Sequence, residues 1–256
     1  RILAAVRELL NAKPDHKAFQ LPIGSIGKLF MGREEFIEQL RQRLLVGETH
    51  AVGIVPAQTI HGLGGVGKTR GVVEFAWRYQ HLFPTAVAFV KAESPEELQK
   101  NLAALVATTA FDIPEAQERT QEVQEAHAIR WLQDRSDWLL VIDNVDSEEA
   151  AIAVQKLIAQ IPRGRVLITS RISRWSHDVE KLELDVLPAK AAQEFLLTAT
   201  SAERTRQADD EEQALAIAQD LDGLALALEQ AAAYITALAI SLQEYRRRWE
   251  TKRDQV

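Results

Sequence analysis

The stretch Gly62-Leu63-Gly64-Gly65-Val66-Gly67-Lys68-Thr69 constrains this chain more than any other. It matches G-x-x-x-x-G-K-[ST] in full, and its surroundings suit it. Thr59-Ile60-His61 ends an apolar stretch, and Val72–Tyr79 reads as a helix. Phosphate binding needs these residue types. Glycines allow the backbone conformations that turn successive N–H groups into one anion nest. The helix beginning near Lys68 adds the positive end of its dipole. Lys68 then reaches the β- and γ-phosphates, and Thr69 offers its hydroxyl to Mg²⁺. The expected ligand is ATP or ADP with Mg²⁺, held by Gly62, Gly64, Gly65, Val66, Gly67, Lys68, Thr69 and Arg70.

Two further strands end in groups suited to this site. Trp138-Leu139-Leu140-Val141-Ile142-Asp143 is an apolar strand ending in a carboxylate, the Walker B pattern. Alone, such an Asp is as well read as a helix cap. Following a P-loop, with two helical patterns between, it is expected to hold Mg²⁺ together with Thr69. Arg165–Arg171 is another apolar strand with a polar end. Ligands of open parallel sheets sit at the carboxyl ends of the strands, so Arg171 is expected to face the phosphates and sense the γ-phosphate. The alternative for Arg171 is a solvated surface arginine. Lys68, Asp143 and Arg171 form the expected catalytic set.

The chain pattern is strand, helix, strand, helix. Five strands are expected at Ala57–His61, Ala86–Lys91, Trp138–Ile142, Arg165–Thr169 and Lys181–Leu187, each short, apolar and bounded by turn residues or charges. Ala51–Val55, stopped by Pro56, reads as either an extra strand or an extended loop. Ser94-Pro95-Glu96-Glu97 is a capping box with Pro at the first helical position, and Ser147 precedes Glu148-Glu149 at another helix start. Together these predict an α/β fold, a doubly wound parallel five-stranded P-loop NTPase sheet. After Pro188 only helical patterns remain: Ala189–Ala199, Glu211–Leu221, a third carrying Leu224 to Leu238, and a last one opened by Ser241-Leu242-Gln243-Glu244. The expected organisation is an N-terminal linker or helix (1–28, with a short helix at 2–11), a P-loop nucleotide-binding domain (29–187) and a small all-α domain (188–256).

Bulk properties exclude several classes. The formal net charge is −7, which argues against nucleic acid as the main partner. Cysteine is absent, so disulfides and thiolate metal sites are excluded, and a reducing cytoplasm fits. No apolar run approaches a membrane span. The histidines have no metal spacing, and no nucleophile elbow is present. Trp77 and Trp138 read as core. The run Arg246-Arg247-Arg248 with Lys252-Arg253 reads as a solvated helix face. Arg1 opens the sequence and Met31 is its only methionine, which is expected of a piece of a longer chain.

In this order the motifs resemble the NB-ARC branch of the STAND ATPases. The resemblance is carried by Phe30-Met31-Gly32-Arg33-Glu34, Gly62–Thr69, Leu139–Asp146, Val166–Arg171 and Leu221-Asp222-Gly223-Leu224-Ala225-Leu226-Ala227-Leu228, spanning about residues 28 to 245. It implies a molecular switch of signal transduction in the style of bacterial NLR-like immune or regulatory proteins. ADP holds the closed form, and exchange for ATP permits opening and homo-oligomerisation. It also implies an N-terminal effector and C-terminal winged-helix and sensor domains elsewhere in the same protein. By the same resemblance Met31, Gly32 and Arg33 line the adenine pocket, and Gly223, Leu224 and Ala225 close it from the helical domain. A plain Gly turn between two packed helices explains the latter set equally well. Two departures stand out. Ala225 replaces a usual Pro, and Asn144 replaces the acid that often follows the Walker B Asp. An amide can orient water but cannot deprotonate it, so slow hydrolysis is expected. Asp146 is either a substitute carboxylate or a helix cap. The alternative function is an ATP-driven remodelling or DNA-loading machine of the AAA+ type, which should carry a Glu after Asp143.

Overall fold

Alternation of side chains along two central strands organises the molecule. In Trp138–Val145 (β4), Leu140 and Ile142 point to one face of the sheet, and Leu139 and Val141 to the other. In Arg165–Ser170 (β5), Val166 and Ile168 share the first face and Leu167 the second. All seven are at most 1% exposed, so both faces must be covered by helices, as in a doubly wound sheet. The computed structural model describes residues 18–19, 21–46, 51–56, 64–107, 113, 119–172, 175–176, 179–202 and 204–253.

Among the described residues the sheet is parallel throughout, with six strands. Besides β4 and β5 it holds Ala18–Phe19 (β1), Ala51–Pro56 (β2), Ala86–Lys91 (β3) and Glu180–Leu184 (β6). Their spatial order is β1-β3-β4-β5-β2-β6. Helices Pro95–Leu105 (α3), Gln121–Asp134 (α4) and Glu148–Gln160 (α5) cover one face. Helices Glu34–Arg41 (α1) and Lys68–Tyr79 (α2) cover the other.

The predicted doubly wound sheet is present, with two differences. The two-residue β1, in a segment expected to be irregular, adds a sixth strand beside β3. The strand that leads to the P-loop runs at Ala51–Pro56, the stretch left between strand and loop by sequence. The predicted strand Ala57–His61 lies outside the described residues, as does the predicted helix at 2–11. Pro56 is no obstacle, because it is the last residue of β2 and pairs there only with Leu184 of β6, while the β5 ladder has already ended at Ile54.

Four helices follow: Ala189–Ala199 (α6), Asp210–Asp220 (α7), Ala225–Leu238 (α8) and Leu242–Arg253 (α9). They enclose a separate core of Ala192, Leu196, Ile217, Leu228 and Ile235. Local signals set the boundaries. Ser94 Oγ accepts the Glu97 N–H at 3.2 Å, Ser147 Oγ the Ala150 N–H at 3.2 Å, and Ser241 Oγ the Glu244 N–H at 3.1 Å. Gly223, at φ +64°, ends the α7 turn by donating to Ala218 O at 3.0 Å. Among the described residues no single helix is long and apolar enough to cross a membrane.

Trp138, 1% exposed, is the largest fully buried side chain among the described residues, and its Nε1–H is shared between Leu132 O and Arg135 O, both at 3.0 Å. Trp77, by contrast, is only half-buried. Gly164 packs flat on the Trp138 ring, where any Cβ would collide with it. Gly164→Val should therefore cost about 1–3 kcal/mol of stability, the range for overpacked cores. Its urea denaturation midpoint would show this as a shift to lower concentration.

Candidate nucleotide site

The carboxyl ends of β4 and β5 and the start of α2 meet at one carboxylate. Asp143, 7% exposed, accepts hydrogen bonds at Oδ1 from Thr69 Oγ1 (2.7 Å) and Thr169 Oγ1 (2.6 Å). A break in the β4–β5 register between Ile142 and Val145 makes room for this. Asn144, at the break, adopts φ +67°, a left-handed conformation that asparagine tolerates better than most residues. Its N–H donates to Thr169 Oγ1 at 3.0 Å and its side-chain amide to Glu93 Oε1 at 2.8 Å. Thr169 thus donates to Asp143 and accepts from Asn144, which holds the strand end rigid. Sequence alone gave Thr169 no role beyond its strand. Its polar character at the tip of an apolar strand was the available signal.

Gly64 to Thr69 form the loop and first turn of α2. Gly65 (φ +100°) and Gly67 (φ +101°) take backbone conformations that L side chains rarely adopt. Lys68 lies partly buried at the helix start. Burial pushes its ammonium below its usual pKa, Asp146 and Asp143 push it up, and Arg171 pushes it down. Gly62 lies outside the described residues.

Arg171 is held beside the loop by Asp146. The Arg171 N–H donates to Asp146 Oδ1 at 2.9 Å, and its Nε lies 3.0 Å from Oδ2. A Cβ on Gly64 would meet the Arg171 guanidinium at 3.0 Å, so the two are in close contact. Asp146 is therefore no helix cap. Ser147 fills that role and Asp146 anchors the arginine.

The loop opens into a cavity of about 670 Å³. One wall is the segment before α1, with Ile26, Leu29, Phe30 and Met31. Another is α6 and α8, with Phe195, Ala199, Ala225, Leu226, Glu229, Ala232 and Ala233. Helix α8 docks directly on the P-loop. Leu226 N–H donates to Gly65 O at 2.9 Å, a Cβ on Gly65 would meet Leu226 Cβ at 2.8 Å, and one on Gly67 would meet Ala225 Cβ at 3.6 Å.

The residues expected at the base end divide. Met31, Arg33 and Ala225 line the cavity, as do Gly64 to Arg70, while Gly32, Gly223 and Leu224 do not. Gly32 (φ +67°) packs against Ala191 of α6. Gly223 packs on the Leu187 backbone, and its carbonyl accepts the Leu187 N–H at 2.9 Å. Leu224 packs into the core on the α1–α2 face of the sheet. The Gly turn there is required by close packing. Arg33, 8% exposed, spends its guanidinium on two carbonyls, Asp185 O at 2.6 Å and Val66 O at 3.1 Å. Burial lowers its pKa against the pull of Asp185. Phe195 and Glu229 were not singled out by sequence, because each sits within an ordinary helical pattern.

The NB-ARC domain family matches residues 33–205. The chain belongs to the NB-ARC family. It is 26% identical over 235 residues to the regulatory protein AfsR of Streptomyces griseus, covering 86% of this chain and 23% of that protein. It is 27% identical over 243 residues to a nucleotide-binding leucine-rich repeat (NLR)-like protein of Hyaloscypha variabilis, covering 89% and 24%. The chain thus spans about a quarter of the length of these relatives. Among solved structures, Cdc6p of Pyrobaculum aerophilum shares the fold at a TM-score of 0.57 and 15% identity, covering 84% of this chain and 64% of that one. The ORC2 protein of Aeropyrum pernix does so at 0.55 and 15%, covering 91% and 70%. The NB-ARC chain is accordingly a nucleotide-binding module on a P-loop ATPase fold.

Thr169→Val keeps the shape of the buried NB-ARC strand end but leaves Asp143 one donor short and the Asn144 N–H without its acceptor. A stability loss of about 1–3 kcal/mol is expected, measured by urea denaturation.

Proposed function

We propose that this NB-ARC module is an ATP/ADP switch whose described conformation is the closed, ADP-holding one. The observation that carries this reading is the seating of α8 on the P-loop through the Leu226–Gly65 hydrogen bond, which makes the helical bundle one wall of the phosphate site. A ligand there touches both layers, so its chemistry can bias their separation. Lys68 and the loop N–H groups bind the phosphates. Arg171, on the rim, is placed to respond to a third phosphate once its pair with Asp146 yields. Exchange for ATP loosens the α8 contact and exposes surfaces for self-association in the whole protein.

The donor set suits Mg²⁺. Thr69 presents a hydroxyl beside the buried Asp143 carboxylate, and nucleotide phosphates and water complete the octahedron such a cation requires. Bound there, Mg²⁺ would neutralise phosphate charge. Hydrolysis is slow in this reading. Asn144 offers an amide already bonded to Glu93, and Asp146 is engaged with Arg171.

The remodelling or DNA-loading alternative draws on the fold shared with Cdc6p, but the basic run of α9 gives it no support. Arg246 lies 3.2 Å from Asp220 and 3.4 Å from Glu250, while Arg247 and Arg248 both pair with Glu244 at 2.9 and 2.6 Å.

Freshly purified protein, denatured and analysed by anion-exchange chromatography, should release near-stoichiometric ADP. Lys68→Ala should release little. Steady turnover of ATP should stay below about 1 s⁻¹, the low end for ordinary enzymes. An empty wild-type site with equal, weak affinity for ATP and ADP, or brisk DNA-stimulated turnover, would overturn the switch reading.

A further inference from the structure

The helix that carries Lys68 and Thr69 also grips the chain that leads into the apolar wall of the cavity. On α2, Arg70, Glu74 and Trp77 fall at i, i+4 and i+7, one face of the helix. All three hold the strap of residues 23–26. Glu74 accepts the Ser25 hydroxyl at Oε2 and the Ile26 N–H at Oε1, both at 2.7 Å. Arg70 donates to Gly24 O at 2.8 Å, and Trp77 Nε1 donates to Ile23 O at 3.1 Å. Ser25 Oγ in turn accepts the Gly27 N–H at 3.0 Å, tightening the turn that follows.

Glu74 is 5% exposed, and burying a carboxylate is costly unless charge-assisted hydrogen bonds satisfy it. An apolar residue on this face would pack against the strap without fixing its position. The carboxylate specifies one register, because it meets a side chain and a backbone N–H of adjacent residues. Beyond the clasp the strap lines the cavity with Ile26, Leu29, Phe30 and Met31. It is then tied back to the P-loop by Arg33, which donates to Val66 O. The apolar wall is thus pinned at both ends to the phosphate loop and its helix.

We propose that Glu74 is a positioning residue for the nucleoside end of the ligand. By clasping residues 23–26 to α2, it fixes the apolar wall at a set distance from the phosphates. Glu74 itself does not line the cavity; Arg70, the one clasp residue on α2 that does, gives its guanidinium to Gly24 O and lies 3.8 Å from Glu74 Oε1. Loosening the clasp weakens recognition of base and sugar and leaves polyphosphate binding intact. This rests on the reading of the cavity as a nucleotide site.

The test compares two probes by calorimetry on the whole chain with Mg²⁺, after removal of bound nucleotide: ADP and inorganic tripolyphosphate. Glu74→Gln should weaken ADP about tenfold, the loss of one charge-assisted hydrogen bond. Tripolyphosphate affinity should change less than about twofold. Ser25→Ala leaves the core untouched and covers the case in which Glu74→Gln fails to fold. It should weaken ADP about threefold, again sparing tripolyphosphate. Equal losses on both probes, or an unchanged ADP affinity in Ser25→Ala, would overturn the clasp and leave the nucleotide site standing. A wild-type protein that binds tripolyphosphate as tightly as ADP also overturns it, since no base-end recognition would then exist to be positioned. Wild-type protein that binds neither probe would instead overturn the nucleotide reading.

Discussion

A backbone hydrogen bond from Leu226 to Gly65 joins two layers that otherwise have separate cores. The sheet and its helices are stabilised by apolar burial on both faces, and the terminal bundle by its own Leu, Ile and Ala cluster. Leu224 packs into the sheet-side core and Gly32 against Ala191, and beside the cavity the layers meet where one glycine matters twice. Gly65 supplies a backbone turn that other residues rarely make, and its missing side chain leaves space for Leu226. The hydrogen bond itself contributes on the order of 1 kcal/mol, and it lies beside the cavity.

Much of the sheet was legible in the sequence. Buried parallel strands are continuous apolar runs, and β3, β4 and β5 were therefore visible within a few residues at their ends. Capping serines at positions 94, 147 and 241 announced their helices because the cap is a local hydrogen bond. The P-loop and Asp143 were visible because their chemistry allows few substitutes. Features that depend on long-range approach were not legible. The stretch Ala51–Val55, stopped by Pro56, read as either an extra strand or an extended loop, yet two neighbours pair with it. Gly32 was expected at the adenine and Gly223 either there or in a plain turn between helices, and both pack closely, against Ala191 and Leu187. Glu74 carries no signal of its own in the sequence. Its burial becomes apparent only once residues 23–26 fold back over it.

The departures from the family pattern also gain physical reasons. Asn144 sits where the backbone is left-handed, and its amide ties β4 to Glu93, just past the end of β3. Asp146 restores a carboxylate nearby, but its oxygens are occupied by Arg171. The polar groups around the P-loop are bonded to one another, which favours a rigid site. Ala225 approaches Gly67 without a ring to wedge against it, so the closing contact falls to its neighbour Leu226.

The strand order carries a last consequence. Strand β5 lies between β4, which brings Asp143, and β2, which leads to the P-loop. Its tip supplies both the hydroxyl of Thr169 and, just beyond, the guanidinium of Arg171. The hydroxyl that braces Asp143 and the arginine that pairs with Asp146 therefore share one short piece of backbone. Sequence drift at this tip is pleiotropic: a change that retunes one displaces the other. Divergent relatives should then change these positions together or leave both alone.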